Sequence, residues 1–327
     1  MSPWRRVVFA VTAAVALIMA LFGSASAQTT RPAPREALVE RAAEALARGD
    51  ATSALRDYEA AAAQEHAADI EIGIVRSLML AGHYRRALAF AAHAAQAHPG
   101  EAEGARVYAQ LLDVGGHSAL AGRMRPADAA LTALTAPGAT VLATGVLIDA
   151  GRHALLPLRA LREVTTATAI ELRDGHGRAL PAQLVQRNDA LGLALLRVHA
   201  PLADPPRLVW AARDAFAGSP AHAVTGITDE LPWPRLRSGF VGTQGLGIDL
   251  AGAARGGAVF DIAGRVIGVS LAGDEGVDRL VTAGMLRRWL GEKLGEGAEA
   301  PSQPMPLDAI YETALRATVL LRATTPS

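Results

Sequence analysis

The side chain types needed for nucleophilic acyl transfer occur after residue 150, but they do not form a recognisable catalytic set. A serine hydrolase needs an imidazole to take the serine proton, a carboxylate to orient that imidazole, and backbone N–H groups to receive the oxyanion. The candidates are His153, Asp189 and Ser270. His153 is typical of a turn residue and Ser270 falls on a predicted strand, so a triad built from them would need several independent coincidences.

The composition excludes other chemistries. The 327 residues contain no cysteine, which excludes thiol nucleophiles, thiolate metal sites and disulfides. The 32 basic and 32 acidic side chains leave no net charge to attract nucleic acid, and only 4% of residues are aromatic, which disfavours a stacking surface for bases. We therefore expect no cofactor, no metal and no nucleic-acid partner. The length predicts two domains.

The first of these domains has a helical pattern. Residues 36–122 are Ala-rich, with few helix breakers and no alternation typical of strands. Gly49 recurs as Gly82 after 33 residues, and a weaker third copy has Gly116 a further 34 residues on. Other pairs with the 33-residue spacing are Ala54 and Ala87, Leu55 and Leu88, and Ala61 and Ala94.

A helix, a short Gly-containing turn, a second helix and a period near 34 resemble the tetratricopeptide repeat. In this interpretation the alanines let paired helices approach closely, while Tyr58, Tyr84 and Leu88 fill the space between them. Pro99 ends the second repeat as in the family, whereas His66 takes that place in the first. The resemblance implies a groove for a protein or peptide. The alternative is an arbitrary helical bundle, because alanines recur easily in an Ala-rich sequence.

The second domain, residues 138–292, has a strand pattern. Its short β-branched or Leu-rich runs are separated by Gly, Asp and Pro, which predicts an all-β barrel or sandwich. We expect linkers at residues 123–137 and 293–307. The predicted strands lie within 141–148, 167–172, 191–198, 221–224 and 265–271.

Three segments in order resemble the trypsin-like peptidases of the HtrA type. ATGVLIDAGRHALLPLRALREV, residues 143–164, resembles the stretch that leads to the catalytic histidine. RNDALGLALLRV, residues 187–198, is similar to the strand that carries the catalytic aspartate. DLAGAARGGAVFDIAGRVIGVS, residues 249–270, resembles the nucleophile loop and the hairpin after it. The resemblance implies a double β-barrel with a cleft between the barrels.

The resemblance also implies that the catalytic triad is lost. Arg159 stands at the histidine position, Gly192 at the aspartate position and Arg255 at the serine position. Arginine is always protonated and has no lone pair to act as a base or nucleophile. No serine lies between Ser238 and Ser270 to replace the missing nucleophile. We therefore predict a protein without peptidase activity.

The same positions suggest a binding site. Gly256 and Gly257 keep the turn of the nucleophile loop possible, and an oxyanion hole without a nucleophile would at most bind a carboxylate. Arg159 and Arg255 could hold a peptide carboxyl terminus or an acidic side chain through bidentate hydrogen bonds. Asp249, six residues before Arg255, could instead pair with one of these arginines. The alternative to the ligand site is such structural pairing or a solvated surface.

The C-terminal segment 308–323 resembles the helix-then-strand stretch that normally precedes the first barrel of this family. We expect a strand over residues 317–322 to close the first barrel from the far end of the chain. A docked helix or a loose tail is the alternative.

The first residues are typical of an export signal. Arg5 and Arg6 precede an apolar run over residues 7–22, and Ala25-Ser26-Ala27 is a small-residue cleavage site. We predict a Sec-type signal peptide over residues 1–27 and a location in the periplasm or outside the cell. An apolar run of 16 residues is short for a bilayer span of about 20, so we expect no stable span after cleavage. An uncleaved anchor is the alternative.

Together these features predict a multidomain α and β protein: tetratricopeptide-like helices followed by a degenerate trypsin-like domain. Its predicted function is that of a binding scaffold for proteins or peptides in the cell envelope. Two alternatives remain. One is an active periplasmic serine endopeptidase with unrecognised catalytic residues. The other is a purely structural envelope component that spaces other proteins.

Overall fold

A computed structural model describes most of the chain after residue 33. The predicted signal peptide, residues 1–27, and most of the predicted linker 123–137 lie outside the described residues. No helix in the described part is long and apolar enough to cross a bilayer. The described ranges are 34–125, 139–162, 169–175, 178–199, 202, 204–226, 233–250, 255–273, 278–299 and 303–324.

The first region consists of antiparallel helices, each packed against the next in sequence. The third helix also contacts the first and the fifth. Asp50 begins the second helix, because its carboxylate accepts the Ser53 N–H at 3.0 Å. The helices are α1 Arg35–Ala47, α2 Ala51–Ala62, α3 Ala68–Leu80, α4 Tyr84–Ala97, α5 Ala102–Val114 and α6 Ser118–Met124.

The helix pairs share one turn geometry. Gly49, Gly82 and Gly116 follow α1, α3 and α5, with φ of +79°, +77° and +91°. A residue with a Cβ is strained in this left-handed conformation, so the recurring glycines each allow the chain to reverse between two helices. The alanines with the same spacing, Ala54, Ala61, Ala87 and Ala94, are all 0% exposed. The sequence repeat thus corresponds to a repeated turn and a repeated helix contact.

The second region is β-rich, so the predicted order of a helical region followed by a β region is confirmed. Three further α-helices accompany the strands: α7 Leu158–Arg162, α8 Ala283–Leu290 and α9 Leu307–Ala317. The strands are β1 Ala139–Ile148, β2 His153–Pro157, β3 Ala169–Asp174, β4 Ala182–Asn188, β5 Leu193–Val198, β6 Trp210–Ala211, β7 Pro220–Thr225, β8 Arg235–Val241, β9 Leu246–Gly247, β10 Ala258–Phe260, β11 Val266–Leu271, β12 Arg279–Thr282, β13 Gly297–Ala298 and β14 Thr318–Thr324.

The strands form two curled sheets. The first has the order β3-β14-β1-β2-β5-β4, and its two ends approach where Leu180 N–H donates to Leu172 O at 2.7 Å, just before β4. The second has the order β13-β6-β11-β10-β7-β8-β9, with β12 on β11. Strand β9 approaches β12 where Leu246 N–H donates to Asp278 O at 2.7 Å, just before β12. Both sheets enclose apolar side chains.

Two segments after residue 292 contribute strands to the sheets. Residues 293–307 were expected to be a linker, but they contain β13, which pairs in parallel with β6. Strand β14 lies between β1 and β3 and is antiparallel to both. The first sheet therefore contains a strand from the far end of the chain, and both edges of that strand are paired.

Helix α9 joins the two regions. The Tyr311 ring on α9 meets the Tyr84 ring on α4 edge to face, with ring centroids 4.4 Å apart. Tyr311 donates its hydroxyl hydrogen to Pro234 O in the β region at 2.7 Å. Around these rings, Asp113 on α5 pairs with Arg235 on β8 at 3.3 Å. One continuous apolar core runs through the helices, α9 and the second sheet.

Candidate functional site

The helix after β2 carries the residue at the predicted histidine position. Arg159 lies in α7, two residues after the end of β2, and its side chain is exposed. The Leu158 N–H donates to Gly192 O at 2.9 Å. This bond holds the start of α7 against the turn between β4 and β5, which carries the predicted aspartate position.

A side chain at that turn would be strained by the backbone conformation and would lie close to a guanidinium. Gly192 has φ of +71°, and its N–H donates to Asn188 O at 2.8 Å. A Cβ at Gly192 would lie 3.2 Å from Nη2 of Arg279, which itself donates to Leu191 O at 2.7 Å. A side chain at residue 192 would therefore adopt an unfavourable backbone conformation, and the Arg279 guanidinium would have to shift slightly to admit it.

The residue at the predicted serine position is engaged in an ion pair. The Arg255 guanidinium contacts the carboxylate of Asp278, a residue that is only 6% exposed. Burial raises the pKa of Asp278, the Arg255 charge opposes that rise, and the charge of Asp249 adds to it. Asp249 itself is exposed. The arginine at this position is thus largely neutralised by a carboxylate that the sequence analysis did not single out.

The glycines after Arg255 bring this loop against the first sheet. Gly256 has φ of +126°, and a Cβ there would lie 2.1 Å from Thr144 O on β1 and 2.5 Å from Pro157 Cγ on β2. Gly257 O accepts the Ser270 N–H at 3.0 Å. No side chain other than hydrogen fits at Gly256, because the loop lies directly on the backbone of β1.

The segments carrying the three positions therefore meet where the two sheets adjoin. Gly192 bonds to the residue before Arg159, and Gly256 contacts Pro157, two residues before Arg159. Two guanidinium groups and a glycine cannot supply a base, a nucleophile or an orienting carboxylate. A guanidinium group can at most attract an anion, and that of Arg255 already contacts the carboxylate of Asp278.

The displaced catalytic candidates lie elsewhere. His153 Nδ1 is 3.0 Å from the Asp149 carboxylate across the β1–β2 turn, and His153 pairs across strands with Arg197. Ser270 is 0% exposed, and its hydroxyl donates to Gly257 O at 3.3 Å. Asp189 is exposed on the turn between β4 and β5. His153 and Ser270 are bonded to other residues, so they do not form a base–nucleophile pair.

The structure reveals one serine–histidine pair that sequence analysis missed. His222 Nδ1 on β7 is 2.8 Å from Ser238 Oγ on β8, its direct cross-strand neighbour. Burial lowers the pKa of His222, against the opposing charge of Asp261. Asp261 is held by two bonds from Arg265, at 2.9 and 2.6 Å, so its carboxylate is committed to that arginine. The sequence could have revealed this pair only if β7 and β8 had been aligned in the correct register, which places His222 opposite Ser238.

A second missed group lies in the helical region. Glu71 on α3 is 3% exposed, and its oxygens lie next to the imidazoles of His66, His93 and His98. Within the described ranges, no set of three His, Asp or Glu side chains has the geometry of a metal site. His66 stood out in the sequence only as a departure from the repeat pattern, because its neighbours come from other helices.

Comparisons with known proteins give little further identification. No protein family matches the chain, and no curated protein matches it either. Among solved structures, the chain is similar to one described as the MamO protease domain from Magnetospirillum magneticum in its apo form. The sequences are 18% identical, the TM-score is 0.36, and the match covers 47% of this chain and 94% of that chain. The functional proposal therefore rests on the geometry of this chain itself.

Proposed function

We propose that this chain is an exported, catalytically inactive trypsin-like pseudoprotease whose helical repeats make it a protein- or peptide-binding scaffold in the cell envelope. The β region corresponds in this proposal to a degenerate double β-barrel. The helical region corresponds to tetratricopeptide-like repeats, and residues 1–27 direct export. Loss of the triad leaves binding as the function.

One observation carries the proposal. The segments of Arg159, Gly192 and Arg255 meet at the junction of the two sheets, which is where the sequence resemblance expects a catalytic cleft. Instead of a catalytic serine, the junction contains Arg255, which forms an ion pair with the buried Asp278. Arginines stand at the positions of the base and the nucleophile, and the one at the nucleophile position is paired with a buried carboxylate, which supports an inactive cleft.

The attachment of the helices to the β region supports a scaffold. Asp308 on α9 lies 2.7 Å from His117, and Arg85 on α4 pairs with Glu312 on α9 at 3.3 Å. Together with the Tyr84–Tyr311 contact, these pairs tie the helices to the sheet that contains β14. A ligand bound by the helices would therefore be held at a fixed position relative to the β region.

Two measurements test this function together. A fluorophosphonate probe should not label the full-length protein, and the protein should not cleave casein. Crosslinking in the envelope should recover proteins whose capture depends on the helical region. Labelling of the wild type that a serine substitution abolishes would overturn the pseudoprotease part. Capture of one fixed set of neighbours, unchanged by substitutions on the helix surface, would favour a purely structural spacer.

The second candidate is an active serine peptidase that uses the Ser238–His222 pair. The 2.8 Å contact between them is the observation in its favour. Asp261 does not orient the imidazole, because Arg265 binds its carboxylate. If this candidate is correct, Ser238→Ala abolishes probe labelling while Ser270→Ala, which changes a buried serine, does not.

A further inference from the structure

A cavity of about 370 Å³ separates α2 and α4 in the helical region. Helix α3 forms part of its wall, because Glu71 and Ile74, on the first two turns of that helix, both line the cavity. The remaining wall is mostly apolar. The lining residues that matter here are Ala62, His66, Glu71, Ile74, Phe90 and His93.

A carboxylate lies at the base of this cavity. Glu71 is 3% exposed, and its Oε1 atom lies 3.3 Å from His93 Nε2 and 3.5 Å from His66 Nδ1. The Oε2 atom lies 3.8 Å from His98 Nε2, beyond hydrogen-bond distance, and has no hydrogen-bond partner. Half of a buried carboxylate is thus left without a donor.

The arginines of the neighbouring surface are committed elsewhere. Arg35 pairs with Glu65 at 3.0 Å and with Asp69 at 3.2 Å, and Arg76 pairs with Glu103 at 3.1 Å. Among the described residues, the ionisable groups that contact the oxygens of Glu71 are imidazoles. An imidazole is charged only when protonated, whereas an arginine is always charged. The carboxylate therefore lacks a permanently charged partner, although buried charges are normally paired.

We propose that this cavity binds the lysine side chain of a partner polypeptide. The ammonium group would pair with the Glu71 carboxylate, while the four-carbon stem would pack against Ile74 and Phe90. A long apolar stem ending in a compact cation matches apolar walls above a buried carboxylate. This inference rests on the proposed binding function, because the lysine belongs to a bound protein.

The binding test uses n-butylammonium, which reproduces the end of a lysine side chain, and 1-butanol, which has a similar shape without charge. Ring resonances of His66, His93 and Phe90 are followed by NMR in the full-length protein with EDTA present. We expect saturable shifts with butylammonium at a concentration about tenfold lower than with butanol, a preference of about 1.4 kcal/mol. Equal response to both probes, or no saturable response, overturns the proposal.

Two substitutions and a control assign the preference to the cavity. Glu71→Gln keeps the shape and removes the charge, so the preference for butylammonium should disappear. Phe90→Ala should weaken the binding of both probes and keep the preference for butylammonium over butanol. This variant tests the cavity if Glu71→Gln does not fold. Glu59→Gln, at an exposed position on α2, should change nothing. Retained preference in Glu71→Gln overturns the proposal.

Two further outcomes separate the explanations. Ring shifts that appear only with Zn²⁺ and vanish with EDTA would identify a metal site and reject the lysine site. Absence of probe binding in a protein that still captures envelope proteins would reject the lysine site and leave the scaffold function intact. Probe binding together with a complete lack of captured proteins would reject the scaffold function alone.

Discussion

The helical region and the β region each bury a carboxylate, but the two carboxylates have different partners. Asp278, at the junction of the sheets, faces the permanently charged Arg255. Glu71, between the helices, faces three imidazoles and an apolar cavity. At the junction, where the sequence resemblance expects catalysis, the carboxylate is paired with a permanent charge. A carboxylate without such a partner leaves a site where a cation from outside would be stabilised. If the chain is a binding scaffold as proposed, this difference favours binding in the helices over binding at the junction.

The largest expected effect comes from breaking the link between the regions. Tyr311→Ala removes a fully buried ring from the shared core, and we expect a loss of about 3–5 kcal/mol in the free energy of unfolding. Within the described residues, the tryptophans lie in the β region, at positions 210, 233 and 289, so their fluorescence reports on that region. Circular dichroism at 222 nm reports mainly on the helices.

In the wild type the two signals should change together on adding urea, because the core is continuous. In Tyr311→Ala they should separate. The control is Phe216→Ala, at a side chain that is 78% exposed, which should leave both transitions in place. Separate transitions already present in the wild type would show that the two regions do not stabilise each other.

Next in size is the ion pair at the junction. Asp278→Ala leaves the Arg255 guanidinium without its partner, and we expect a loss of about 2 kcal/mol. The value lies below that of fully buried pairs because the Arg255 side chain is 30% exposed. A double-mutant cycle with Arg255→Ala measures the coupling. A coupling energy near zero would mean that the pair does not close the junction.

A smaller effect is expected at the repeated helix turn. Gly49→Ala should destabilise the protein by about 1 kcal/mol, because the residue has φ of +79° while a Cβ there would meet no atom within 4 Å. Gly100→Ala is the matched control, since it also has open space but no positive φ. Equal stability of the two variants in urea would show that the turn geometry is not what limits this position.

The smallest effect is a difference in pH dependence, and its sign is the readout. The Arg41 hydrogen bond lowers the pKa of Asp57 in the helical region, whereas burial raises the pKa of Asp278. Stability from Asp57 is present above the ordinary carboxyl pKa of 3.8 and is lost as the pH falls through the lowered value. Asp278 binds its proton more readily when folded, so its contribution becomes more favourable as the pH falls toward 3.8.

Asp57→Asn should therefore reduce the acid sensitivity of the protein, and Asp278→Asn should increase it. The measurement is the free energy of unfolding in urea between pH 3 and pH 7 for each variant and the wild type. The same sign of change in both variants would contradict the opposite environments of the two carboxylates.

Local features of the fold were predictable from the sequence. The Gly and Ala positions that recur near 33 residues predicted paired helices, and the structure shows the same left-handed turn after α1, α3 and α5. Whether these helices are tetratricopeptide repeats stays a prediction. The linker expected at residues 293–307 stays a prediction, although the two residues of β13 within it pair with a strand far away in sequence.

The candidate site was only partly predictable. Sequence order identified Arg159, Gly192 and Arg255, whose segments adjoin in the fold. The ligand role of Arg159, Arg255, Asp249, Gly256 and Gly257 stays a prediction. Sequence analysis did not single out Asp278, because its pairing with Arg255 depends on how two loops meet.

The sequence by itself determined the absence of cysteine chemistry, the identity of the residues that stand in the predicted triad positions, and the order of helical and β regions. These follow from residue types and from periodicities that act over a few neighbouring residues. The tertiary structure decided which charges meet. His66, Glu71, His93 and His98 come from a loop and the helices packed around it, so their cluster exists only because those helices pack together. Burial then makes their electrostatic interaction strong, since the carboxylate is removed from water.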